Sequence, residues 1–277
     1  MATRRGRGLA GPVAPQGLIL TAMESQFEVL FTPAEFAALA GRDLSGAHCV
    51  VFDVLRATST MMTALANGAA RIFPVREISQ ALRLRAEHPA ALLAGERDGV
   101  RILSARSGGV DFDLGNSPRE FTPERVAGRD IIMTTTNGTR ALQACLGATR
   151  ILPGAWLNLG ALARRLRSEK AARLLIICAG TYDEAAYEDT LAAGALCDLV
   201  WAQFEMEPDR ISDSAHIARR IYLEAGSDVE GAMQRHSRNA RRLLSIDNLR
   251  ADVPFCLRRD VLEATAELRD GSVALGP

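Results

Sequence analysis

Short apolar runs that end in hydroxyls or acids, each followed by a segment with helical spacing, recur along this chain. The clearest is Cys49-Val-Val-Phe52, then Asp53-Val-Leu-Arg-Ala-Thr-Ser-Thr60, then a helical pattern from Met61 to Asn67 that stops at Gly68. It reads as strand, polar turn and helix. A second unit is Arg129-Asp-Ile-Ile-Met-Thr-Thr-Thr136, with a turn at Asn137-Gly138 and a helix to Gly147. A third runs from Arg173 to Gly180, passes the acids Asp183, Glu184, Glu188 and Asp189, and continues as a helix over 190–200. Between them the pattern predicts strands over 25–31, 71–75, 91–94 and 150–153, and helices over 33–39 (capped by Thr32), 79–87 and 158–166 (capped by Asn158). Pro74 favours an edge position or a strand end. The chain then turns helical over 202–206, 213–225, 229–235 and 238–244, and closes with a strand or tail over 270–275. Alternating strands and helices predict one layered α/β fold with a largely parallel sheet. Parallel neighbours place their carboxyl ends on one edge, where ligands bind. If the strands ending at Phe52, Thr134 and Cys178 are neighbours, their polar ends converge on one pocket.

Composition narrows the partners. The 277 residues hold 33 basic and 33 acidic side chains, so there is no basic excess for nucleic acid or a membrane surface. Aromatics are few, which speaks against base stacking. No apolar run approaches the ~18 residues of a membrane span. Cys49, Cys145, Cys178, Cys197 and Cys256 lie in apolar runs without C-x-x-C spacing, which reads as reduced core thiols in a cytoplasmic protein. Residues 1–22, rich in Arg, Gly and Pro, are expected to be a disordered extension, with a single domain over 23–277. A homo-oligomer is left open.

Several phosphate chemistries fail on missing residues. The single lysine, Lys170, stands in no Gly-Lys-Ser/Thr loop, and the dinucleotide pattern G-x-G-x-x-G is absent. Cys49 and Arg56 are one residue too far apart for a cysteine phosphatase loop, and Leu55 stands where an Asp-x-Asp-x-Thr pattern needs its second acid. What remains is oxygen chemistry: Asp53, Glu96, Glu188 and Asp189 as hard ligands, with hydroxyls and amides for an oxyanion. Together they suggest Mg²⁺ and a phosphorylated small anion. In this reading Asp53, Arg56 and Glu96 are catalytic. Phosphate or substrate contacts come from Thr58, Ser59 and Thr60 at one helix start, from Thr135, Thr136, Asn137, Gly138 and Thr139 at the other, and from Asn116 and Ser117 in the Gly115–Pro118 turn. Arg97 and Asn116 are assigned to a substrate carboxylate or sulfonate. Cys178, at a strand end with no base nearby in sequence, reads as core.

Five strings carry a family resemblance: Asp53–Thr60, Gly95-Glu-Arg97, Phe112–Pro118, Thr134–Thr139, and Cys178-Ala-Gly180 followed by Glu188-Asp189. In this order they resemble the 2-phosphosulfolactate phosphatase family, from about Glu24 to the carboxyl terminus. The resemblance implies a three-layer α/β/α fold. It also implies a Mg²⁺-dependent acid phosphatase converting 2-phosphosulfolactate to sulfolactate and phosphate, a step of coenzyme M synthesis. Ser245 and Ile246 depart from glycine in the family pattern, and the amino-terminal extension is additional. Competing readings are a non-catalytic binder of phosphorylated acids, and an isomerase or lyase acting on one.

Overall fold

The structure is a computed structural model that describes residues 26–276, so the expectation for residues 1–22 lies outside the described residues. Among the described residues ten strands form: β1 Phe27–Leu30, β2 Ala47–Phe52, β3 Arg71–Pro74, β4 Leu92–Arg97, β5 Val100–Arg101, β6 Asp130–Thr134, β7 Arg150–Gly154, β8 Arg173–Cys178, β9 Ala266–Arg269 and β10 Ser272–Leu275. The helices are α1 Pro33–Ala37, α2 Ala57–Ala66, α3 Ile78–Glu87, α4 Ser104–Ser107, α5 Pro123–Val126, α6 Gly138–Ala144, α7 Leu159–Glu169, α8 Tyr187–Val200, α9 Asp213–Ala225, α10 Val229–His236, α11 Arg238–Leu244 and α12 Asp252–Cys256.

The expected α/β/α layering is present, with helices on both faces of the strands. The strands divide between two sheets where one was expected. The first has the order β1-β8-β2-β7 and is parallel throughout. The second has the order β5-β4-β6-β3-β10-β9, with a parallel centre and antiparallel edges. The strands ending at Phe52 and Cys178 are therefore paired, and the one ending at Thr134 belongs to the other sheet. Pro74 ends β3, which lies inside its sheet, so the strand-end alternative holds.

Alternation within the strands builds the cores. On β2 and β8, Val50, Phe52, Leu174 and Ile176 face a cluster with α7, α8 and α9, while Cys49, Val51, Leu175 and Ile177 face the opposite way. There they join Ile72, Ile131 and Met133 of the second sheet and Met61, Met62, Leu65 and Leu142 of α2 and α6. Ile132 and Leu93 point outward to Ala81 of α3 in a third cluster. Helix α2 is buried from Ala57 to Leu65, so it has no polar stripe.

Local signals mostly hold. Thr32 caps α1 in a capping box with Glu35. Asn158 is an exception: its side chain accepts from the Ala155 amide instead of capping α7. Over 202–206 only a 3₁₀ turn, Trp201–Gln203, forms. Strand β9 and helix α12 had no strand or helix reading of their own.

Candidate active site

The carboxyl ends of β2, β4, β6 and β8, from both sheets, open onto one cavity of about 70 Å³. Asp53, Arg56, Glu96, Asn116, Thr136 and Asn137 line it, together with Asp98, Gly99, Gly180, Asn239 and Arg242. Asp53 follows β2 directly. Its Oδ1 accepts from the Ala57 amide at 3.0 Å, which ties the acid to the first turn of α2. Gly138 lies against it, since a Cβ there would stand 2.5 Å from Asp53 Oδ2. Glu96 is the next-to-last residue of β4 and is 7 % exposed. Its Oε1 accepts from the Thr136 amide and hydroxyl at 2.9 and 3.0 Å, and its Oε2 from the Gly99 amide at 2.7 Å.

The Asp53 carboxylate is costly to ionise. Burial pushes the Asp53 carboxyl up to about 7, and the charges of Glu96 and Glu188 add to this. The Ala57 amide and Arg56 oppose the shift without cancelling it.

Arg56 is buried. Its Nη1 donates to Asp252 Oδ2 at 2.7 Å and its Nη2 to the Gly99 carbonyl at 2.9 Å. Asp252, on α12, also accepts from Ser117 Oγ and Arg119 Nε at 2.7 and 2.8 Å. Gly99, at φ +78°, thus serves Glu96 with its amide and Arg56 with its carbonyl. Asn137 Nδ2 donates to the carbonyls of Gly180 and Tyr182, both at 2.9 Å, joining the β6 end to the loop after β8. Asn116 Oδ1 and Asn137 Oδ1 are buried without a hydrogen-bond partner.

Other candidates are placed elsewhere. The hydroxyls of Thr58, Ser59 and Thr60 donate to the carbonyls of Asp53, Val54 and Asn116, and none of the three lines the cavity. Thr58 and Ser59 find backbone oxygens five residues back, a local competition that turns such hydroxyls inward, whereas Thr60 reaches a carbonyl 56 residues away. Thr135 and Thr139 are buried and bond each other's amides. Ser117 is taken by Asp252. Arg97 turns away to the Glu96 carbonyl, Thr134 Oγ1 and the Arg76 carbonyl.

Two of the four expected metal carboxylates are likewise engaged. Glu188 accepts from Ser237 Oγ and Asn239 Nδ2. Asp189 accepts from the amides of Val54 and Gly180, pinning the β2 and β8 ends together. Burial, with the charges of Glu188 and Asp53, holds the Asp189 carboxyl well above its usual range. Among the described residues no group of three or more His, Cys, Asp or Glu side chains is arranged to hold a metal ion. Cys178 is fully buried and its thiol is pushed up by burial, as a core thiol.

Asp252, Gly99, Asn239 and Arg242 were not among the sequence candidates. Three of them come from the helical carboxyl-terminal part: Asp252 and Asn239 touch the β2 junction across 196 and 184 residues, and Arg242 reaches the Asp98 carbonyl across 144. Nothing local in the sequence marks such a contact.

Comparison with known proteins agrees with the five strings. The 2-phosphosulpholactate phosphatase family model matches residues 36–271. A probable 2-phosphosulfolactate phosphatase of Caldanaerobacter subterraneus subsp. tengcongensis is 35% identical over 246 residues, 88% of this chain and 97% of the relative. Proteins of the same description from Thermotoga maritima and Clostridium acetobutylicum are 36% and 34% identical, over 80% and 81% of this chain and 89% and 90% of their own length. A match of this extent, over a chain whose strings sit at one cavity or brace it, means that the chain belongs to the 2-phosphosulfolactate phosphatase family.

Proposed function

We propose that this chain is a Mg²⁺-dependent phosphoric monoester hydrolase. Its substrate is 2-phosphosulfolactate or a closely related phosphorylated 2-hydroxy acid, and its products are the free hydroxy acid and phosphate. With that substrate the reaction belongs to coenzyme M synthesis. The observation that carries the reading is the pair Asp53 and Glu96, two carboxylates held at one small cavity where burial and the charge of Glu96 oppose ionisation of Asp53. Such a pair is costly alone and favourable around a divalent cation.

The donor set fits a hard ion. Asp53, Glu96 and the unpartnered Asn116 Oδ1 are all oxygens, and no thiol or imidazole lines the cavity. When bound, Mg²⁺ supplies Lewis acidity to the phosphoryl oxygens. Asp53 and Glu96 would hold it. Glu188 and Asp189 serve behind them, Asp189 by fixing the backbone that presents Asp53. Arg56, locked by Asp252, adds a fixed positive charge toward the cavity. The start of α6, at Asn137 and Gly138, presents amides to the oxyanion. In the overall reaction water adds to phosphorus, the bond from phosphorus to the C2 oxygen breaks, and that oxygen takes a proton. Catalysis of this kind rests on positioning and charge more than on covalent chemistry. Five free, buried thiols suit a reducing cytoplasm. No helix among the described residues is long and apolar enough to cross a membrane.

Phosphate release from small 2-phospho acids, with and without Mg²⁺ and chelator, tests the proposal. Release should require the metal, and Asp53→Asn should abolish it while the variant keeps its circular dichroism spectrum. Release that survives chelation removes the metal from the reading. Binding of the acids without release returns the chain to the class of non-catalytic binders, and conversion without release to the isomerases or lyases.

A further inference from the structure

The inner cavity has room for a few water-sized groups, the scale of one oxyanion. A phosphorylated 2-hydroxy acid is larger and carries further charge. A second space, of about 500 Å³, adjoins the first, and Thr181, Tyr182, Asn239 and Arg242 line both. Arg242 therefore stands where one opens into the other.

The charges around this junction are unequal in their commitments. Arg238 is paired with Glu184. Arg241 donates to the carbonyls of Gln234 and Arg235 at the end of α10. The Asp98 carboxylate is paired with Arg106 at 2.9 Å. Arg242 donates through Nη1 to the Asp98 carbonyl at 3.1 Å and, among the described residues, forms no ion pair. Its guanidinium lies against Gly99, where any Cβ would come within 2.7 Å of Nη2. A side chain at position 99 would displace it from the loop that also holds Glu96 and Arg56. An uncompensated guanidinium at the junction of two cavities is suited to a planar or tetrahedral anion. Asn239 cannot share this task through its amide nitrogen, which already donates to the Leu55 carbonyl and Glu188. Of the acids on the outer wall, Glu184 is neutralised by Arg238, and Asp183 remains as an exposed charge.

We propose that Arg242 is the specificity-determining residue that binds the non-phosphate acid group of the substrate, its carboxylate or sulfonate, at the junction of the inner and outer cavities. This takes the place in which Arg97 was expected. It rests on the reading that the inner cavity takes the phosphoryl group. The enzyme thereby selects monoesters bearing a second anion close to the phosphate.

Two measurements test it together. In the first, phosphate release is followed from 2-phosphosulfolactate and from p-nitrophenyl phosphate, which has no second acid. Arg242→Ala should lower the ratio of kcat/KM for the former over the latter by about 10–100-fold, the value of one lost charge-assisted contact. The loss should reside in KM, and Arg242→Lys should recover part of it. An equal loss on both substrates, or no change in the ratio, overturns the assignment. The second is calorimetric titration with sulfolactate, which lacks phosphate. Binding that is weakened in Arg242→Ala supports the subsite even in a protein that releases no phosphate, and then only the hydrolase reading falls. Equal sulfolactate affinity in both forms overturns the subsite and leaves the hydrolase reading standing.

Discussion

Asp53 sits in an environment that its position at a strand end does not announce. Its folded-state pKa of about 7 lies above the ordinary 3.8. Between these values the folded chain keeps a proton that the unfolded chain has released. Stability therefore falls as pH rises through the window from about 4 to 7, and stays low above it. In metal-free buffer the melting temperature should drop from pH 5 to pH 8. Asp53→Asn should flatten that slope and be more stable than the parent at pH 8 by about 2 kcal/mol, roughly half of the full shift at about 1.4 kcal/mol per pH unit because the carboxyl keeps some solvent contact. Parallel pH profiles for the two proteins would show that the cavity does not strain this acid. Stabilisation by loss of a site residue marks a group held for function. At this scale the sequence was readable where a side chain follows a strand end and unreadable where a hydroxyl chooses its partner. Asp53, Glu96, Thr136, Asn137 and Asn116 line the cavity. Thr58, Ser59 and Thr60 are of the expected types and at the expected junction, yet nearby carbonyls take their hydroxyls.

Among the elements, α12 does the most with the least chain. Its five residues carry Asp252, which is fully buried and accepts from Arg56, Ser117 and Arg119. Three segments distant in sequence meet on one carboxylate: the β2–α2 junction, the turn after Asn116, and the carboxyl-terminal helices. The worth of each arm follows from its burial. Arg56 is 3 % exposed and Arg119 40 % exposed at their side chains. Asp252→Ala strands a buried guanidinium and should cost about 3–5 kcal/mol, whereas Arg119→Ala should cost no more than about 1 kcal/mol. Denaturant midpoints would measure both, and a cost for Arg119→Ala equal to that for Asp252→Ala would refute this ranking. The elements themselves were largely legible, because strand alternation and helix caps are local. Helix α12 was not, because its formation and its place depend on partners 133–196 residues away.

For the whole molecule, the arrangement in two sheets changes the meaning of the site. One parallel sheet would have placed the polar strand ends on its edge by topology alone. Here β2 and β8 approach from one sheet and β4 and β6 from the other, so the cavity exists only while the two are held in register. Away from the cavity the sheets share a core and an Arg150–Glu267 ion pair between β7 and β9; at the cavity the links that cross are Arg56 to the Gly99 carbonyl, and Asn137 to the carbonyls of Gly180 and Tyr182. The ends of β2, β6 and β8 do meet at one cavity, but Glu188 and Asp189 do not line it, and the sequence could not show that the meeting bridges sheets, since strand pairing is set by long-range packing. Because the site is a joint, a ligand in it should act as a brace. Saturation with inorganic phosphate and Mg²⁺, at about 100 times the dissociation constant, should stabilise the folded state by about 2.7 kcal/mol. Amide exchange should slow both at 96–99 and at 180–184, on opposite sides of the cavity. Asn137→Ala removes a 4 % exposed amide and leaves two carbonyls unpaired, which should cost about 2–3 kcal/mol. In that variant exchange at 180–184 should rise without ligand, and phosphate should protect 96–99 while failing to protect 180–184. Equal protection of both segments in the variant would mean that Asn137 does not carry the coupling across the cavity and is only a lining residue.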